Sequence, residues 1–197
     1  MFLLIISTRK WISMDKSLNI FLIGFSGSGK STVGPILARL AKACFIDSDD
    51  LIEECFGKPI GRIFAEDGER VFRRAEMDVI NEVISSKSGR RVIALGGGAF
   101  ELKENWQKVK EHGIVVYLSC SVRELYKRLK NDSDRPLLRV RLQPGESKRQ
   151  AKQRQITALL NKRKKHYSLA DIKISTTEKS PSEVSRHILK KTKDLNA

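Results

Sequence analysis

Asn19-Ile20-Phe21-Leu22-Ile23-Gly24-Phe25-Ser26-Gly27-Ser28-Gly29-Lys30-Ser31-Thr32 is the stretch whose reading decides the fold. Its opening apolar run ends at a glycine, the pattern of a strand buried on both faces of a parallel sheet. Gly24 to Ser31 then matches GxxxxGK[ST] in full, and a helical pattern over 30–42 follows at once. A strand before and a helix after are the context in which that spacing builds a phosphate cradle. Glycines let the loop curl until backbone N–H groups converge on phosphate oxygens, and the helix N-terminus adds its dipole. Gly27, Ser28, Gly29, Lys30, Ser31 and Thr32 are therefore the candidate nucleotide contacts. Lys30 would reach the β- and γ-phosphates of ATP, and the Ser31 hydroxyl would ligate Mg²⁺.

Outward from the cradle, short apolar runs alternate with helical patterns. Strands are expected at 43–46, 91–95, 114–118 and 172–174, and helices at 49–56, 60–87, 102–111, 121–130, 149–169 and 181–193. That alternation predicts an α/β fold, a P-loop NTPase three-layer sandwich with a five-stranded parallel sheet flanked by helices. Pro35 falls early in the first helix, where a mild kink is expected rather than a break.

Asp47-Ser48-Asp49-Asp50 follows the second strand, at the sheet edge where open α/β folds bind ligands. In an extended segment Asp47 and Asp49 point the same way, one toward the metal's water shell and the other toward a substrate hydroxyl. The competing reading is an N-cap, with Ser48 or Asp49 starting the next helix.

Further along come Gly57-Lys58-Pro59-Ile60-Gly61, Gly68-Glu69-Arg70-Val71-Phe72-Arg73-Arg74-Ala75-Glu76, Gly96-Gly97-Gly98-Ala99, Arg135-Pro136-Leu137-Leu138 and Arg163-Lys164-Lys165-His166-Tyr167. In this order, with the cradle ahead of them, they resemble the shikimate kinase family over residues 19 to about 190. The resemblance implies transfer of the γ-phosphoryl of ATP to the 3-hydroxyl of shikimate. Such a substrate needs cations for its carboxylate, acceptors for its hydroxyls and close backbone around its ring. Arg73 and Arg163 offer the cations, Asp49 an acceptor, and Gly96, Gly97 and Gly98 the close backbone. Read without the resemblance, Arg73 is a solvated arginine on a basic helix, with Arg74 beside it, and the glycines a tight strand-to-loop turn. Glu76 stands one helical turn after Arg73 and would hold its guanidinium.

The resemblance also implies a mobile lid at about 131–149, with Arg135 offsetting charge on the transferring phosphoryl, Arg128 against adenine, and Lys179 and Pro181 in the adenine loop. Lysine at 179 departs from the family's frequent arginine. Lys30, Asp49 and Arg135 are thus the candidate catalytic residues, and Ser31 and Asp47 the candidate metal ligands.

Net charge is +15, and residues 135–165 hold eleven lysines and arginines against one acid, Glu146, a local net of +10. A basic lid over a polyphosphate explains part of this. Nucleic acid is the rival partner, disfavoured because the run is poor in aromatics for base stacking, with only Tyr167 near its end. The three cysteines, Cys44, Cys55 and Cys120, form no CxxC pair, and no apolar run reaches the ~18 residues of a membrane span. The expected setting is cytoplasmic, with ATP and shikimate as small-molecule partners and the chain a monomer. Residues 1–17 read as a flexible extension ahead of a domain at 18–197, with Met14 as a possible start. A gluconate-type kinase and a catalytically silent homologue are the alternative readings.

Overall fold

The structure, a computed structural model, describes residues 19–86, 89–100, 103–131, 138 and 140–195. The extension at 1–17, Arg135 and most of the RPLL stretch lie outside the described residues.

The elements alternate along the chain: β1 (Asn19–Ile23), α1 (Lys30–Leu40), β2 (Cys44–Asp47), α2 (Ser48–Phe56), α3 (Ile60–Glu66), α4 (Glu69–Ser85), β3 (Arg91–Ala94), α5 (Lys103–His112), β4 (Gly113–Ser119), α6 (Val122–Leu129), α7 (Lys148–Tyr167), β5 (Ile172–Ser175) and α8 (Pro181–Asp194). The five strands form one sheet in the order β2-β3-β1-β4-β5. Every ladder is parallel, so the expected α/β sandwich is the observed one.

β1 lies at the centre and is buried at all five positions, which is why its sequence is an apolar run rather than an alternation. Ile20 and Leu22 face one layer, with Val33 and Leu37 of α1 and Val184 and Ile188 of α8. Phe21 and Ile23 face the other, with Ile52, Ile63, Val79, Ile80 and Val83 from α2, α3 and α4. Each such side chain contributes about 1.5–3 kcal/mol by leaving water. A smaller cluster of Phe25, Leu125, Leu129, Leu138 and Ile156 ties the cradle to α6 and α7.

Two expectations need correction. The helix expected over 60–87 is two helices, because Gly68 adopts φ 85°, a conformation glycine takes without strain. The acidic pair does not lie in an extended segment. Asp47 ends β2 and is itself the N-cap of α2, its side chain accepting from the Asp49 N–H, so neither Ser48 nor Asp49 is the cap. α1 continues to Leu40 with Pro35 inside it, so the early proline does not end the helix.

Candidate active site

The cradle closes at the C-terminal end of β1. Gly27 and Gly29 take φ 76° and 103°, and Gly29 is the N-cap of α1. Lys30 is buried, its Nζ donating to Gly24 O at 3.0 Å and Phe25 O at 3.4 Å. Those bonds hold the ammonium beside the loop backbone. Ser31 Oγ donates to Asp47 Oδ2 at 2.6 Å. Two hard oxygen donors therefore meet at the mouth of the cradle, which suits Mg²⁺, an ion that keeps several waters and takes few protein ligands.

Gly27, Ser28, Gly29, Lys30, Ser31 and Thr32 line a cleft of about 480 Å³ together with Arg128, Thr176, Lys179 and Pro181. Arg128 backs this cleft. Its guanidinium is held by Glu124 at 3.0 Å and donates to Gly27 O at 3.1 Å and Thr176 O at 3.2 Å.

A second cleft, of about 640 Å³, opens beside the first. Its walls include Asp49, Arg73, Glu76, Gly96, Gly97, Gly98 and Arg163, with Phe64 and Phe72 on the apolar side. The two clefts share Ser26, Ser31, Asp47 and Asp49. A group carried on the cradle therefore meets a molecule in the second cleft along the Ser31–Asp47–Asp49 edge.

Each of the three glycines faces a different charge. A Cβ at Gly96 would lie 2.6 Å from Glu76 Oε1 and 2.8 Å from Asp49 Oδ1. At Gly97 it would lie 3.2 Å from Arg163 Nη1, and at Gly98 2.6 Å from Arg73 Nη1. None of the three has a positive φ, so they are glycines for want of room, not for unusual backbone.

Glu76 occupies the apolar stripe of α4 with Phe72, Val79, Ile80 and Val83. Arg73 Nη1 donates to its Oε2 at 2.5 Å, and Glu69 Oε1 accepts from Arg73 Nη2 at 3.0 Å. Burial pushes the Glu76 carboxyl up to about 7, against the pull of Arg73 and with a further push from Asp49. Arg163 is 5 % exposed, and its guanidinium stands 5.9 Å from the Phe25 ring centre. Asp50 and Glu53 also line this cleft. Burial, then the charges of Asp47 and Glu53, hold the Asp50 carboxyl above its usual range.

The structure thus brings together Lys30, Ser31, Asp47, Asp49, Arg73, Gly96–Gly98 and Arg163, while Arg135 lies outside the described residues. Of the excess basic residues, Arg154 is paired with Glu146 at 2.8 Å. Three residues shape the site through contacts the sequence did not signal. Ser48 Oγ accepts from Gly96 N–H at 3.0 Å, Asn105 Nδ2 donates to Ala99 O at 2.8 Å, and Glu53 Oε1 accepts from Ile60 N–H at 2.8 Å. Ser48 sat between two more conspicuous acids, and Asn105 and Glu53 were ordinary helix residues until folding placed them.

The family model described as shikimate kinase matches residues 26–193. The shikimate kinase of Persephonella marina is 42 % identical over 171 residues, covering 87 % of this chain and 96 % of that one. The shikimate kinase of Chlorobium phaeovibrioides is 46 % identical over 162 residues, covering 81 % and 80 %. Among solved structures, shikimate kinase from Acinetobacter baumannii in complex with shikimate superposes with TM-score 0.81 at 36 % identity, over 90 % of this chain and 94 % of that one. A gluconokinase from Sinorhizobium meliloti gives 0.53 at 17 % identity over 93 % and 98 %, a likeness of fold alone.

Proposed function

This chain belongs to the shikimate kinase family and is an ATP-dependent kinase acting on shikimate, and from that premise we propose how its two clefts divide the reaction. ATP lies on the cradle, with its phosphates against the Gly27–Thr32 backbone and Lys30, and its base toward Arg128, Lys179 and Pro181. Shikimate lies in the second cleft. Its carboxylate meets Arg73 and Arg163, and its hydroxyls meet Asp49 and the Gly96–Gly98 backbone. The observation that supports this division is the shared edge of Ser26, Ser31, Asp47 and Asp49 between the clefts.

In the reaction proposed, the 3-hydroxyl oxygen attacks the γ-phosphorus and the bond to the β-phosphate oxygen breaks. The hydroxyl proton passes to Asp49, and shikimate 3-phosphate and ADP leave. Positioning and charge stabilisation do most of the work in such a transfer. Lys30 holds a positive charge where charge builds on the phosphates, and Arg135 serves the same end from the lid. Ser31 and Asp47 would hold Mg²⁺, which would supply positive charge to offset that of the phosphates. Residues 18–197 act as one kinase domain, with the lid at about 131–149 excluding water from the transfer. A monomer in the cytoplasm completes the reading, and no helix among the described residues is long and apolar enough to cross a membrane.

Proton and phosphorus NMR of the isolated product tests the regiochemistry. Coupling of phosphorus to the proton at carbon 3 is expected, and coupling at carbon 4 or 5 would overturn the assignment of Asp49.

A further inference from the structure

The Gly96–Ala99 segment is a turn closed by one backbone bond, Ala99 N–H to Gly96 O at 3.1 Å. Among the described residues, three helices hold it by three side chains. Ser48 at the start of α2 takes the Gly96 N–H, and Asn105 of α5 donates to Ala99 O. Both are side chains within 2 % of full burial, so these bonds compete with no water. The remaining attachment is Tyr167 at the last position of α7, whose hydroxyl donates to Gly97 O at 3.0 Å.

That last bond differs in kind from the other two. A turn closed from its first residue to its fourth fixes its ends and leaves its central peptide uncommitted. Type I and type II turns differ by a flip of that central peptide, and type II needs a positive φ at the third residue. Here the central peptide joins Gly97 to Gly98, and Gly98 does not have a positive φ. Glycine would take the flipped form at little cost. A side chain in this turn would displace the charges around it, since a Cβ at Gly98 would strike Arg73 and one at Gly97 would crowd Arg163. The glycines that leave both guanidinium groups in place are therefore also free to flip on backbone grounds.

We propose that Tyr167 is a positioning residue that locks this peptide and so aims the Gly98 N–H at the acceptor substrate. A trans peptide carries its C=O and N–H in opposite directions, and no peptide in the described residues is cis. Holding Gly97 O toward α7 therefore holds the Gly98 N–H on the opposite side. The tyrosine is itself well fixed. It is 5 % exposed, and its ring stacks on Tyr117 of β4 with centroids 4.6 Å apart and planes 16° from parallel. Arg163 lies one helical turn earlier on α7, so one helix face presents both the cation and the lock to Gly97. Gly97 also packs against the cradle, its added Cβ falling 3.5 Å from Gly24 O and 3.6 Å from Ser26 N. The lock thus sets the acceptor donor relative to the phosphate loop as well as to Arg163.

This inference rests on reading Gly96–Gly98 as shikimate-binding backbone, and the test separates the two. Tyr167→Phe in the full chain keeps the ring and removes the hydroxyl. Amide ¹⁵N relaxation dispersion at Gly97 and Gly98 should be flat in the parent and show microsecond-to-millisecond exchange in the variant. The shikimate KM should rise about three- to ten-fold, the worth of one hydrogen bond, with the ATP KM unchanged. Tm should move by no more than about 4 °C. Parent-like amides, or exchange without any change in shikimate KM, would overturn the lock. A joint rise of both KM values with a larger loss of Tm would overturn it too, by showing a general structural role. Gly98→Ala measured in parallel isolates the underlying reading. If it leaves the shikimate KM unchanged, the site assignment fails, whatever Tyr167 does.

Discussion

Arg73 Nη1 and Glu76 Oε2 lie 2.5 Å apart in the lining of the second cleft, joining a cation of that cleft to a carboxyl buried in the apolar stripe of α4. Burial dominates the carboxyl's environment, and its folded pKa of about 7 exceeds the ordinary 4.5. The sign of the resulting pH dependence is fixed. Between about 4.5 and 7 the folded chain keeps a proton that the unfolded chain has released, so stability falls as pH rises through that window and levels off above it. Glu76→Gln removes this contribution. The Tm of the parent minus that of the variant should become more negative from pH 5 to pH 8. A difference constant across that range would contradict the assignment.

The same proton should appear in binding. A carboxylate ligand beside Arg73 raises the electrostatic cost of an ionised Glu76, which also faces Asp49 and Arg163. Shikimate stays anionic from pH 6 to 8, so calorimetry without nucleotide isolates the protein's own titration. Proton uptake on binding and an affinity that weakens as pH rises through about 7 are expected. Both should vanish in Glu76→Gln. Equal proton uptake in parent and variant would place the titrating group elsewhere.

Asp49 lines both clefts and is the carboxylate assigned to the attacking hydroxyl. Asp49→Asn should lower kcat by about 10²-fold or more, the usual scale of a lost general base. ATP affinity, measured by equilibrium binding, should stay within about two-fold of the parent. Full turnover in the variant would remove Asp49 from the mechanism.

Two glycines make a paired prediction. A Cβ at Gly98 meets Arg73 Nη1 at 2.6 Å, the far end of a flexible side chain, so Gly98→Ala should fold and displace the guanidinium. The shikimate KM should rise about ten-fold with the ATP KM unchanged, the effect of about 1.4 kcal/mol. A Cβ at Gly34 meets the Phe45 ring at 2.1 Å, between α1 and β2, and Gly34 is in the lining of neither cleft. Gly34→Ala should cost about 1–3 kcal/mol of stability, read from denaturant unfolding, while both KM values hold. A stability loss in Gly98→Ala matching that of Gly34→Ala would show the Gly98 position to be structural.

Much of this site was legible because its chemistry depends on local spacing. The cradle needs its glycines and lysine within one loop, so Gly24 to Ser31 could be read as a unit, and the buried runs at 19–23 and 114–118 announced a parallel sheet. Asp47 and Asp49 were found as a pair, yet their relation was misjudged. A period of two assumes a strand, and the backbone turns into α2 at Ser48. The Asp67-Gly68 break between α3 and α4 was missed because helical periodicity resumes almost in phase beyond it. Ser48, Asn105 and the bond from Tyr167 to Gly97 depend on contacts across 48, 6 and 70 residues, and the two long ones have no local trace in the sequence. The excess cations of α7 remain mostly on its exposed side, where residue type alone could not separate a lid from a solvated face.

The most direct test of the central claim is a coupled assay of ADP release with Mg-ATP, in which shikimate, gluconate or no acceptor is supplied. Release that depends on shikimate, with gluconate at the level of no acceptor, is the predicted result. Release that ignores shikimate, or none from protein that still binds ATP, would contradict the account of the second cleft as the shikimate site.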